Sequence, residues 1–139
     1  MLIYESNGEI INSRDIYIHD DVFKQMVFEH SNKELKVVIR KPENMQVEQK
    51  ISFVNVVGFE MTSCDFWGKS SHILDFEYVP QDKRTLLPKL HSLNKNCSSN
   101  KSLCILTNGV DYIETIITFV SGDKLTVACE FIEIEQSGQ

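Results

Sequence analysis

Apolar residues in this chain recur mostly at every second position, in short runs separated by polar turn formers. That is the pattern of half-buried β-strands rather than of helices. The clearest case lies between residues 22 and 39. Met26-Val27-Phe28-Glu29-His30 and Leu35-Lys36-Val37-Val38-Ile39 are rich in β-branched and aromatic residues, and the polar Ser31-Asn32-Lys33-Glu34 joins them. With Asn32 and Lys33 as the central turn residues, Ser31 faces Glu34, His30 faces Leu35, Glu29 faces Lys36, Phe28 faces Val37 and Met26 faces Ile39. Met26, Phe28, Leu35, Val37 and Ile39 then share one face, with a Glu29–Lys36 charge pair on the other beside Val27 and Val38. Such a pair contributes about 0.2–1 kcal/mol, and a one-residue slip would break it and turn the apolar face outward. Asn-Lys is a poorer turn than Asn-Gly, so the turn type stays open.

The next strand is expected over residues 50–61. Ile51, Phe53, Val57 and Phe59 share one face and Val54 and Val56 the other, which predicts a central position. Lys41-Pro42-Glu43-Asn44 breaks the strand before it, since proline cannot donate to a ladder. Leu2-Ile3-Tyr4 and Glu9-Ile10-Ile11 flank Asn7-Gly8 and read as an opening hairpin. Residues 16–19, 72–79, 103–107, 112–120 and 125–134 are further strand-like segments. Gly122-Asp123 suits a tight turn that sets Val120 opposite Leu125, Thr118 opposite Val127 and Ile116 opposite Cys129. Both faces of that hairpin are apolar, so it should lie mid-sheet or beneath a helix. The one predicted helix starts near Thr85, where Leu86, Leu87, Leu90 and Leu93 have helical spacing. Thr85 can cap its start, and Pro88 is tolerable because it falls in the first turn. Residues 63–71 and 94–102 read as loops, the second a candidate for mobility. No repeat or linker divides the chain. The pattern predicts a single domain over residues 1–139, mainly β, with antiparallel sheet in two layers and one short helix.

Composition narrows the function classes. The chain has 139 residues, 42% of them apolar, enough for a buried core and unlike a disordered segment. Its net charge of −6 argues against nonspecific binding to nucleic acid or to an anionic membrane, both of which need a basic surface. It permits a basic protein partner. No apolar run approaches the ~20 residues of a membrane helix, and the first residues lack the basic and apolar regions of a signal peptide. A cytoplasmic location is therefore expected. The oligomeric state stays open, a homodimer included.

Four cysteines, Cys64, Cys97, Cys104 and Cys129, form no Cys-x-x-Cys pair, and buried or incidental thiols are the expectation in such a compartment. Cys97 and Cys104 with His91 could supply a metal site. Their six-residue gap and the missing fourth ligand point away from zinc. His19-Asp20 has the residues of a metal-binding pair but sits among strands, and His30, His72 and His91 fall at no ligand spacing. A Cys–His nucleophile is disfavoured where Cys104 and Cys129 lie in apolar strands. No phosphate-binding glycine loop, dinucleotide fingerprint or nucleophile elbow is present, so no metal and no cofactor are expected.

The loop Cys64-Asp65-Phe66-Trp67-Gly68 holds the only tryptophan. Exposed, Phe66 and Trp67 would anchor an interface; buried, Trp67 would close one end of the core. With Asp65 and His72 they form the one candidate binding site. Asp20, Asp21, Asp111, Asp123, Glu130, Glu133 and Glu135 read as a solvated acidic face, suited to a basic partner.

The run of His19-Asp20-Asp21, Val37-Val38-Ile39, Ile-Ser-Phe-Val-Asn-Val-Val over 51–57 and Gly-Asp-Lys-Leu-Thr-Val-Ala-Cys over 122–129 resembles small uncharacterised bacterial β-rich proteins. Some of these families are grouped with the immunity proteins of polymorphic toxin systems. The resemblance implies an antiparallel sheet and neutralisation of a toxin by binding, and carries over no catalytic residue. The expected function is a non-enzymatic, cytoplasmic protein-binding domain, immunity-like in role. The alternatives are a small-ligand or enzymatic domain with its site near Asp65, Trp67 and His72, and a phage-related or structural subunit that assembles by edge-strand pairing.

Overall fold

The computed structural model describes residues 2–4, 18, 20–62, 72–96 and 109–137. In chain order its elements are β1 (Leu2–Tyr4), β2 (Val22–Glu29), β3 (Glu34–Lys41), β4 (Asn44–Val54), β5 (Gly58–Met61) and β6 (Ile73–Tyr78). A 3₁₀ turn (Gln81–Lys83), α1 (Leu86–Asn96), β7 (Ile113–Phe119), β8 (Lys124–Cys129) and β9 (Phe131–Ser137) follow. The strands form two antiparallel sheets, one of order β1-β9-β4-β3-β2 and one of order β5-β8-β7-β6. The fold is mainly β, as the alternating pattern predicts.

The core lies between the sheets. Across the first sheet Ile132, Phe53, Leu35 and Phe28 stand in one row, and Ile134, Ile51, Val37 and Met26 in the next. The second sheet answers with Ile113, Ile117, Phe119, Leu125, Val127 and Cys129, all buried. Phe119 meets Phe23 edge-on with ring centroids 5.4 Å apart, and Phe53 stacks on Phe76 at 6.4 Å.

Two expected strands each turn out to be two. The 50–61 run breaks at Asn55, whose φ of 55° is left-handed, and passes from β4 in the first sheet to β5 in the second. The 125–134 run breaks at Glu130 between β8 and β9 in the same way. The breaks lie side by side: the Glu130 amide donates to the Val54 carbonyl at 3.0 Å, and the Val57 amide to the Ala128 carbonyl at 2.9 Å. A two-stranded ribbon thus bends from one sheet into the other, which is how strands turn a corner in a sandwich. At the bend itself the faces exchange, so Val56 joins Ile51 and Phe53 in the main core while Val57 packs toward α1; Phe59 and Met61 of β5 then return to the main core.

Both predicted hairpin registers are corrected. In the first, Phe28 faces Leu35 rather than Val37 and Glu29 faces Glu34 rather than Lys36, a slip of two residues. The loop therefore holds four residues, with Lys33 in the left-handed region at φ 54°. An even slip keeps every side chain on its expected face. In the closing hairpin Thr118 faces Lys124 and Ile117 faces Leu125, so Leu125 has moved from Val120 to Ile117, a slip of three. There the odd slip exchanges the faces of β7. The Phe119 amide donates to the Asp123 carbonyl at 2.9 Å across the loop, and Gly122 takes φ 93°.

Helix α1 packs on the outer face of the second sheet over β5, β8 and Glu114 of β7, while Asp75 and Glu77 of β6 stay exposed on that face. The row beneath it is Gly58, Ala128 and Glu114. The first two let the helix approach closely: a Cβ on Gly58 would lie 2.7 Å from a Leu90 methyl. Leu86, Leu87, Tyr112 and Ala128 form a second small core there, while Leu93 is exposed. The sequence suggests Thr85 as the cap. Instead buried Glu114 reaches up from β7 and accepts the Leu87 amide at 2.8 Å and the Thr85 amide at 3.1 Å. Pro88 has no amide to satisfy, and Lys89 already donates to the Thr85 carbonyl.

Candidate functional site

Of the four residues predicted to form a site, Asp65, Phe66 and Trp67 lie outside the described residues. His72 is half-buried where the sheets meet. It bridges to Val22 and its carbonyl accepts the Val120 amide at 2.9 Å, so its backbone ties β2 to the second sheet. Cys64, Cys97, Cys104 and His19 also lie outside the described residues. Cys129 is a fully buried free thiol whose pKa is pushed up by burial, which suits a core residue. Among the described residues no group of three or more His, Cys, Asp and Glu side chains could hold a metal.

The expected acidic face is not one surface. Asp21 is buried and bonded to Lys41 Nζ at 3.0 Å; burial outweighs that lysine and raises its pKa. Asp123 accepts from the Thr62 and Ser121 hydroxyls in the closing loop. Glu133 and Glu135 stand on the outer face of the first sheet, in cross-strand rows with Lys36 and Lys50. Nearby, Lys24 at 2.7 Å and Arg40 at 3.2 Å both bond Glu48, and these bonds hold its carboxyl below the usual range. That face carries both signs interspersed.

Two features of the surface differ from a solvated sheet. The first is the free end of β2. Among the described residues β2 pairs along its length with β3, apart from the single bridge from Val22 to His72 at its start, and its last residues are exposed. Val27 is 47% and Phe28 36% exposed, on opposite faces of the strand. Phe28 packs on Phe59 with ring centroids 5.3 Å apart, and His30 meets it edge-on at 6.4 Å. The start of β2 is guarded by an irregularity between Phe23 and Gln25 and by the Lys24–Glu48 pair, whereas its end has neither device.

The second is an open cleft of about 640 Å³ between the end of β6, the 3₁₀ turn, α1 and the approach to β7. Tyr78, Gln81, Arg84, His91, Asp111 and Tyr112 give it its polar wall, with Leu87 and Pro88 as apolar floor. Arg84 spans it. Its Nε donates to the Val79 carbonyl at 3.1 Å, Nη1 to the Tyr112 carbonyl at 3.2 Å and Nη2 to the Tyr78 hydroxyl at 2.6 Å. Its guanidinium carbon also lies 5.5 Å from the Tyr78 ring centroid. Sequence reading passes over this residue because no motif surrounds it; its partners come from β6 and from a segment 28 residues away.

No protein family model matches the chain, and no curated protein matches it. A solved structure, an uncharacterized protein from Neisseria gonorrhoeae, is similar in fold at a TM-score of 0.51. It is 13% identical, with 86% of this chain and 93% of that one covered. At that identity the likeness concerns the fold alone.

Proposed function

We propose that the chain is a cytoplasmic protein-binding domain that engages a polypeptide partner along the end of β2. The single observation that supports this reading is an edge strand, unpaired at its end among the described residues, that exposes Val27 on one face and Phe28 on the other, with Phe28 beside Phe59 and His30. Unpaired edges bind extended segments by main-chain hydrogen bonds, and exposed aromatics supply the contact energy. Occlusion of a toxin by such contact is the form of this function that the sequence resemblance implies, and a net charge of −6 would steer a basic partner toward it.

The test is affinity capture from host extract with the product of the neighbouring gene included. Wild-type protein should retain a polypeptide that a Val27→Glu, Phe28→Asp variant loses, with the variant's circular dichroism unchanged. Equal retention by both would refute the reading.

A further inference from the structure

We propose that the Arg84 cleft is a binding site for a carboxylate group carried on an apolar body, separate from the β2 surface. A guanidinium has five N–H groups. Three are spent on Val79, Tyr112 and Tyr78, which leaves two, one on each terminal nitrogen. A bidentate carboxylate takes two. All three acceptors are neutral oxygens, and among the described residues no carboxylate lies within ion-pair distance of Arg84. The half-buried cation thus faces the cleft with no ion-pair partner among the described residues.

The group is also held in place before any ligand arrives. Arg84 lies between the 3₁₀ turn and α1, and Glu114 fixes the start of that helix by accepting the Thr85 and Leu87 amides. Three hydrogen bonds fix the head itself, so binding costs little side-chain entropy. The charge balance selects the ligand. One arginine, with Asp111 also on the wall, matches a monoanion and opposes a phosphate dianion. Gln81 and His91 can donate further hydrogen bonds, and Leu87, Pro88 and the two tyrosines suit an aliphatic or aromatic body. The cleft volume falls within the usual ligand-site range of about 300–1,000 Å³.

Amide chemical shifts of the full chain, followed during titration, test this. The probes are 3-phenylpropionate, its primary amide, inorganic phosphate, and one hydrophobic tripeptide with a free or an amidated C-terminus. The carboxylates should shift the Arg84, Leu87, Val110 and Tyr112 amides saturably, and the amides should bind roughly tenfold or more weakly. Arg84→Gln should abolish the shifts. Asp111→Asn, which leaves the Arg84 anchor untouched, should tighten carboxylate binding and keeps the test decisive if the first variant fails to fold. Saturation by the tripeptide alone would assign the carboxylate to a polypeptide C-terminus, and saturation by both would assign it to small acids as well. Equal binding of acid and amide, tighter binding of phosphate, or no saturable shift would overturn the proposal. The β2 reading is unaffected by any of these outcomes, since capture through Val27 and Phe28 is measured separately.

Discussion

The outer faces of the two sheets have opposite fates. On the second sheet the row Gly58, Ala128 and Glu114 is a seat for α1: two small residues admit the helix and a carboxylate caps its first turn. On the first sheet the corresponding rows run Glu133, Ser52, Lys36, Val27 and Glu135, Lys50, Val38, Gln25. Charges of both signs are interspersed on that face, and of the residues in these rows Val38 alone is buried. The difference shows how one sandwich separates stability from recognition. Burial on both sides where α1 sits fixes that part of the second sheet and frames a cleft at its margin. Water on one side leaves the first sheet an edge that a partner can reach.

This contrast can be broken most directly at Leu86, which is 2% exposed on the buried face of α1. Leu86→Ala should cost about 2–5 kcal/mol in denaturant melts, whereas Val27→Ala on the open sheet should stay within about 0.5 kcal/mol. Similar losses at both positions would mean that both outer faces are covered. A smaller effect is expected at Glu114. Replacement by alanine leaves the buried Leu87 amide and the part-buried Thr85 amide without their acceptor, at about 1–3 kcal/mol. Amide exchange should quicken in α1 while β3 stays protected, and uniform quickening would deny the helix its separate seat. The smallest effect concerns the open sheet's register. Glu29 stands opposite Glu34, so Glu29→Lys should stabilise the protein by about 0.2–1 kcal/mol. A loss of stability would place Lys36 opposite instead.

The same contrast explains what was legible in the sequence. In β2 and β3 one face is apolar and the other charged, so alternation set the faces correctly even though the turn was misjudged by two residues. In β7 each face mixes apolar and polar residues, with Ile113, Thr115, Ile117 and Phe119 toward the main core and Glu114, Ile116 and Thr118 outward. Alternation is then silent, the turn chemistry alone decides, and Gly122-Asp123 suggested a shorter loop than the chain makes. The two sheet crossings at Asn55 and Glu130 leave no mark in the alternation for a related reason. Each sits inside an unbroken apolar run, and only the left-handed backbone at Asn55 marks a bend. The helix was readable from its leucines, but its cap was not, since Glu114 is 29 residues from Thr85. Arg84 was equally hidden: a lone arginine gains meaning only from the carbonyls that fold around it.

The polypeptide partner is proposed to engage the end of β2 rather than the sheet centre, whatever else the cleft binds. Photo-crosslinking tests it most directly, with p-benzoylphenylalanine placed in turn at Val27, Lys50 and His91 and the protein exposed to host extract. A polypeptide adduct from position 27, with none from position 50, is the predicted result. Adducts from position 91 alone, or none from position 27 while a partner is still captured, would contradict it.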